Sequence, residues 1–386
     1  MSGGIKLFRT TPRIVMGPGA VANVGGEAKA LGADHVLIVT DLGVIGAGLL
    51  DPVERSLKEA GVTYDVYSDV TPDPRYEIVD SCLGMVSEKK PQAVIGLGGG
   101  SPIDIAKTVA VMLTNAGAIS DYCGVDLVPG PGAPTIMIPT TAGTGSEVTP
   151  IAILSDENEK LKKGVVSPYL FPRVALLDPE LTVGLPPAVT ASTGMDALIH
   201  AIEAFTSVNA TGLTDLLAGR AMELIAENLR TAYAQGSNLE AREAMLEGSL
   251  LAGIAFANAG VTAVHAFAYP IGAEFHIPHG VANTLMLPEV MRFNLVGNLA
   301  KFAEVALFLG EEIEMLSDRE AAEQAVAAVE QLAEDLKAPR RLSEFGVTDG
   351  DIPGLAKGVM KVTRLLANNP RALTQKDAEE IYRRVL

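Results

Sequence analysis

Tryptophan is absent from this chain, and aromatics make up only 5% of its residues. A core of that kind must be assembled mainly from Ala, Val, Leu and Ile, by close packing rather than ring stacking. Cysteine is nearly absent too. Cys82 and Cys123 match no metal-ligand spacing and are too few for a disulfide framework. This usage fits a reducing compartment. The amino-terminal stretch Met1-Ser2-Gly3-Gly4-Ile5-Lys6 has no apolar run of a secretory signal, so a cytoplasmic location is expected.

Positive charge is also in short supply. Against 47 Asp and Glu stand 30 Lys and Arg, for a net charge of -17 at pH 7. The densest basic cluster, Lys337 with Arg340 and Arg341, is short and flanked by acids. A nucleic-acid partner, which requires a basic stripe to displace counterions, is not expected. Residues 248–273 carry no Asp, Glu, Lys or Arg, a length that would cross a bilayer. Yet the run contains Asn258, Thr262, His265 and Pro270, and its apolar residues are mostly Ala and Gly. It reads as a helix buried inside a helical domain, and no membrane partner is expected.

What remains is a soluble globular composition, 48% hydrophobic and 20% charged. A chain of 386 residues exceeds one ordinary core, so two domains are expected. In the first half, short apolar runs alternate with amphipathic ones. Arg13–Met16, Val36–Thr40, Ala93–Leu97 and Thr135–Pro139 read as strands, while 20–31 and 102–113 read as helices. That alternation indicates βαβ units and a mostly parallel sheet. From about residue 185 onward the periodicity is helical, as in Thr214–Arg230, Glu240–Phe256, Glu320–Lys337 and Lys376–Leu386. The expected architecture is an α/β domain over 1–182 followed by an all-helical domain over 183–386.

Two loops in the first half suit a nucleotide. After the strand Ala93–Leu97 come Gly98, Gly99 and Gly100, then Ser101 as a helix cap with Asp104 completing a capping box, and Pro102 at the first helical position. Glycines there let free N–H groups and the helix dipole meet a phosphate, although plain strand–helix turns look similar. The spacing is not the G-x-G-x-x-G dinucleotide pattern. The second loop, Pro139–Glu147, offers the hydroxyls of Thr140, Thr141 and Thr144. Asp41, after another strand, is either a ribose acceptor or a helix cap.

The helical half holds the metal candidates. Four of the five histidines, His200, His265, His276 and His279, fall there. Asp196 and His200 stand one helical turn apart, on one face of a run rich in buried-type residues. A buried pair of this kind is either hydrogen bonded or ligating. One carboxylate and three imidazoles suit Fe²⁺ or Zn²⁺ with an open position left for a substrate oxygen.

Taken together, Gly98–Asp104, Pro139–Glu147, Gly194–Phe205 and His265–Asn283 resemble the iron-containing (group III) alcohol dehydrogenase family along essentially the whole chain. The resemblance implies an amino-terminal NAD-binding domain, a carboxy-terminal all-helical domain, and an active site in the cleft between them. It implies metal ligation by Asp196, His200, His265 and His279. It matches Gly98, Gly99, Gly100 and Ser101 to the pyrophosphate loop, Thr140, Thr141 and Thr144 to cofactor contacts, Lys163 to the nicotinamide side, and Asp41 to the adenosine ribose with preference for NAD. Two departures stand out. Several members carry a histidine where this chain has Tyr269, and many have Asn-Pro where it has Asp73-Pro74; a second carboxylate at Asp73 would reinforce discrimination against NADP. His276 is left open between a polar role in the pocket and a surface position. The implied activity is reversible hydride transfer between a small primary alcohol or aldehyde and nicotinamide, with the metal as Lewis acid, in a homo-oligomer of two or more chains. The alternatives are a glycerol dehydrogenase-like or dehydroquinate synthase-like relative, or a non-catalytic scaffold. Against the second, Gly194–Phe205 and His265–Asn283 contain no Lys or Arg to grip a phosphorylated substrate.

Overall fold

The computed structural model describes residues 5–86, 90–156 and 161–386. Contacts divide the chain into two units. One comprises Thr11–Pro186 and Gln235–Leu246; the other comprises Pro187–Ala234, Glu247–Leu386 and the residues before Thr11.

The first unit alternates strands and helices. In order these are β1 (Ile14–Met16), α1 (Val24–Ala30), β2 (His35–Val39), α2 (Leu42–Gly46), α3 (Leu50–Glu59), β3 (Thr63–Tyr67) and α4 (Tyr76–Met85). Next come β4 (Ala93–Gly98), α5 (Gly100–Met112), β5 (Gly124–Val125), β6 (Thr135–Pro139), β7 (Ile151–Asp156), β8 (Leu161–Val166) and β9 (Val174–Leu177). Six strands form one sheet in the order β1-β9-β6-β4-β2-β3, every pair parallel. The residues explain it. Along β2, Val36 and Ile38 join a core with Val24, Val53 and Leu57 of α1 and α3, while Leu37 and Val39 join the opposite core with Val79, Ile103 and Val109 of α4 and α5. Strands covered by helices on both faces need apolar residues at every position. A smaller sheet, β5-β8-β7, with β7 and β8 antiparallel, adds an element that the strand–helix alternation does not predict.

The rest of the chain is helical, and the other unit is built of these helices, with α8 entering it from Glu247 onward. They are α6 (Pro187–Thr206), α7 (Gly212–Ala234), α8 (Leu239–Ala259), α9 (Ala263–Phe275), α10 (His279–Asn294), α11 (Leu299–Phe308), α12 (Asp318–Asp335), α13 (Ile352–Lys361), α14 (Thr363–Leu366) and α15 (Gln375–Val385). Helix α6 is buried continuously from Gly194 to Thr206 and packs against α7 and α10. A helix apolar on all sides is a core helix.

The uncharged run 248–273 is not the one helix expected. It is the end of α8 and most of α9, which meet at 102°. The break falls at Gly260, whose φ of +80° is left-handed and whose hydrogen faces Asn368 Nδ2, 2.4 Å from where a β-carbon would stand. Only glycine takes that corner without strain. Among the described residues no single helix is long and apolar enough to cross a membrane.

Candidate metal centre and cofactor loops

Strand β4 ends in glycines, and the backbone there departs from what a side chain would tolerate. Gly98 has φ +148°, with a virtual β-carbon 2.7 Å from Pro102 Cγ. Its carbonyl accepts from Thr140 N at 2.9 Å, so the ends of β4 and β6 lie side by side. A β-carbon on Gly100 would meet Thr144 Cγ2 at 2.9 Å, and one on Gly99 would meet Thr141 Oγ1 at 3.5 Å. Gly98–Ser101 and the threonine loop are thus in contact, with the amino terminus of α5 beside them. Asp41, just after neighbouring β2, is a helix cap whose other carboxylate oxygen lies beside the glycines. Its Oδ1 caps α2 by accepting from Val44 N at 2.9 Å, and its Oδ2 would stand 3.5 Å from a β-carbon on Gly98.

The capping box at Ser101 is not formed. Helix α5 starts at Gly100 with Gly99 as its cap and no side-chain bond there. Asp104 turns away to accept from Ser146 Oγ at 2.5 Å and Ile153 N at 2.9 Å. The physical reason lies one turn on. Lys107 is almost completely buried, and its Nζ donates to the carbonyls of Ser146 (2.8 Å), Thr149 (3.2 Å) and Ile151 (2.6 Å). Its Nζ is 3.7 Å from Asp104 Oδ1, so the carboxylate is more useful beside that ammonium than at the helix end. Burial pulls the Lys107 ammonium down to about 8, against the opposing pull of Asp104 and Glu147. Burial likewise pushes the Glu147 carboxyl up to about 7. This buried cluster ties α5 to the threonine loop and to β7.

Asp73 and Lys163 sit by the β7–β8 hairpin. Asp73, at φ +51°, pairs with Lys162 Nζ at 2.5 Å; Lys163 pairs with Asp156 Oδ2 at 2.8 Å.

In the helical unit, three elements converge. Asp196 comes from the middle of α6, His265 from the first turn of α9 and His279 from the first residue of α10. One ligand atom from each lies within 4.8 Å of the other two. Nε2 of His265 and Nε2 of His279 are each 3.8 Å from Asp196 Oδ1. Donors bound at roughly 2.1 Å in a tetrahedron stand about 3.4 Å apart, so these edges fit one divalent cation. His200, one turn along α6, stacks between Phe256 (4.3 Å between ring centroids) and His265 (4.7 Å). His276 is exposed and left-handed at φ +54°, where it ends α9, outside the group of three. Tyr269 is half-buried, its ring 6.2 Å from that of His279.

Burial alone would raise the Asp196 carboxyl, but His200, His279, His265 and the Asn283 amide together hold it below the usual range. An ionised carboxylate beside imidazoles, which ligate in their neutral form, is a donor set suited to a divalent cation. Two further residues belong here that sequence reasoning did not single out. Asn283, fully buried, donates from Nδ2 to Asp196 Oδ1 at 2.7 Å and lies 3.2 Å from Nε2 of both His265 and His279. Its Oδ1 is buried without a hydrogen-bond partner, while its Nδ2 meets the donor atom of all three residues. Glu203 accepts from Thr262 Oγ1 (2.7 Å), Val264 N (2.7 Å) and His265 Nδ1. Its signal in the sequence was its place on the face of Asp196 and His200.

The distance between α6 and α10 is set by a glycine. A β-carbon on Gly280 would stand 2.2 Å from the Ser192 carbonyl oxygen. Ser192 is one turn before Asp196, and Gly280 follows His279. Gly280→Ala must therefore push His279 away from Asp196. The expected result is a roughly tenfold or greater loss of metal affinity and about 1–3 kcal/mol of stability. Equal metal affinity and equal melting would contradict this account.

Comparison with known proteins places the whole chain. Residues 11–179 match the family described as Iron-containing alcohol dehydrogenase, and residues 190–386 the Fe-containing alcohol dehydrogenase family, C-terminal. The chain is 42% identical to Long-chain-alcohol dehydrogenase 1 of Geobacillus thermodenitrificans, covering 95% of this chain and 93% of that protein. It is 39% identical to the NAD-dependent methanol dehydrogenase of Bacillus methanolicus, over 98% and 99% of the two chains. The crystal structure of a 1,3-propanediol oxidoreductase superposes with a TM-score of 0.97 at 39% identity, covering 99% of this chain and all of that one.

Proposed function

This chain belongs to the iron-containing alcohol dehydrogenase family, and from that premise we propose that it interconverts a small primary alcohol and its aldehyde, with NAD(H) as hydride carrier. In the reducing direction the dihydronicotinamide, when bound, would supply a hydride to the carbonyl carbon and become NAD⁺, and a proton from solvent would complete the hydroxyl. The observation that carries this reading is the group Asp196, His265 and His279, with donor atoms within 4.8 Å of one another and His200 stacked on it. These four residues would hold Fe²⁺, or Zn²⁺ in its place. Such a cation supplies Lewis-acid polarisation of a carbonyl.

The other parts follow from residues on the page. Gly98, Gly99, Gly100 and Ser101 present the start of α5 to the pyrophosphate. Thr140, Thr141 and Thr144, in contact with those glycines, offer hydroxyls to the same cofactor. Asp41 Oδ2, beside Gly98, would accept from the adenosine ribose and repel a 2′-phosphate. Asp73 and Lys163 are assigned to the cofactor by the family pattern alone, each held meanwhile in an ion pair. His276 is assigned no chemical step. Two free cysteines support a reducing, cytoplasmic setting. The three-residue edge strand β1, with Ile14 and Met16 exposed, supports pairing with a second copy. Relatives of nearly equal identity carry names of long-chain alcohol and methanol enzymes, so similarity does not choose among alcohols.

The test is direct. Protein loaded anaerobically with Fe²⁺ should oxidise NADH with at least one short aldehyde, and NADPH at least about tenfold less efficiently. Absence of turnover across a panel of aldehydes, with Fe²⁺ and with Zn²⁺, would end the dehydrogenase reading.

A further inference from the structure

We infer that Glu203 is a positioning residue that fixes His265 in the tautomer whose Nε2 is free to bind the cation. The inference rests on the reading of Asp196, His265 and His279 as ligands. Glu203 lies on α6, seven residues after Asp196, and is almost wholly buried. Both of its oxygens are committed. Oε1 accepts from the Thr262 hydroxyl and the Val264 N–H, each at 2.7 Å, and Oε2 faces Nδ1 of His265. The first two contacts lie at the amino terminus of α9, where backbone donors have no helical partner. They clamp the carboxylate plane, and through it the ring.

A carboxylate only accepts, so the hydrogen of the neutral imidazole sits on Nδ1. Nε2 then keeps its lone pair, aimed at the point it shares with Asp196 Oδ1 and His279 Nε2. The negative charge behind the ring also makes Nε2 a stronger donor. One helix face thus acts on the site twice, directly through Asp196 and indirectly through Glu203.

Glu203→Gln tests the tautomer rather than the packing. Gln can keep the Thr262 and Val264 contacts with its oxygen, but its amide would donate to Nδ1 and drive the hydrogen onto Nε2. Zn²⁺ alone, titrated in competition with a chromophoric chelator, should bind Glu203→Gln about 10–100-fold more weakly than wild type. In metal-free protein labelled with ¹⁵N-histidine, the hydrogen of His265 should move from Nδ1 to Nε2. Should Glu203→Gln fail to fold, Thr262→Val loosens the same carboxylate and should weaken Zn²⁺ several-fold. Equal Zn²⁺ affinity in wild type and variant, or an unchanged tautomer, would overturn the inference alone. A wild-type protein that binds no Zn²⁺ would overturn the ligand reading and this inference with it.

Discussion

Replacing His279 by alanine should remove the bound divalent metal and lower aldehyde reduction at least about a thousandfold, equivalent to about 4 kcal/mol of transition-state stabilisation. His279 is the informative position because its side chain is one-third exposed, whereas those of Asp196 and His265 are almost fully buried. Truncating it leaves little void, so lost activity reports lost ligation. His265→Ala should be as inactive and less stable, because it leaves Oε2 of the buried Glu203 carboxylate without its donor. Metal content by mass spectrometry, measured beside the rate of NADH oxidation, separates the outcomes. An alanine variant at 279 with wild-type metal stoichiometry would show that the ion, if any, is held elsewhere.

Lys107→Met should be the most destabilising single change away from the metal. Methionine matches the stem of lysine in volume but leaves three carbonyls without their donor and Asp104 and Glu147 buried without a cation. Breaking one side of a buried charge cluster typically costs about 3–5 kcal/mol, which in a domain of this size lowers the melting temperature by roughly 10 °C. The loss should extend to the cofactor, since the threonine loop and β7 are what the ammonium holds, and KM for NADH should rise with it. Thermal denaturation followed by circular dichroism is sufficient. Wild-type melting in Lys107→Met would mean that the cluster is dispensable.

The inner strands β2, β4 and β6 of the parallel sheet were legible because they are covered on both faces. Val36–Val39, Ala93–Leu97 and Ile136–Ile138 are apolar at successive positions, and no amphipathic alternative competes. The glycines at 98–100 were legible as a turn, since an extended strand followed by three residues without β-carbons can do little else. Lys107 was not. A lysine between Ala106 and Thr108 reads as a solvated position, and only its three carbonyl partners, from 39 to 44 residues onward, make its burial tolerable. The same long-range cluster drew Asp104 away from the helix cap that its spacing with Ser101 suggested. The antiparallel hairpin of β7 and β8 was missed because Lys162 and Lys163 interrupt its hydrophobic pattern, each paired with an acid.

By itself the sequence determined which groups this protein can use: an acid and an imidazole one turn apart on a buried helix, two more imidazoles beyond an uncharged run, and glycines after a strand. Those follow from side-chain chemistry and local periodicity, which need no third dimension. Tertiary structure alone decided that His265 and His279 reach Asp196. That convergence depends on a left-handed corner at Gly260 and on a backbone approach at Gly280 too close for any β-carbon. Distances of this kind are set by how helices pack, and packing is a property of residue pairs remote in the chain rather than of any segment read alone.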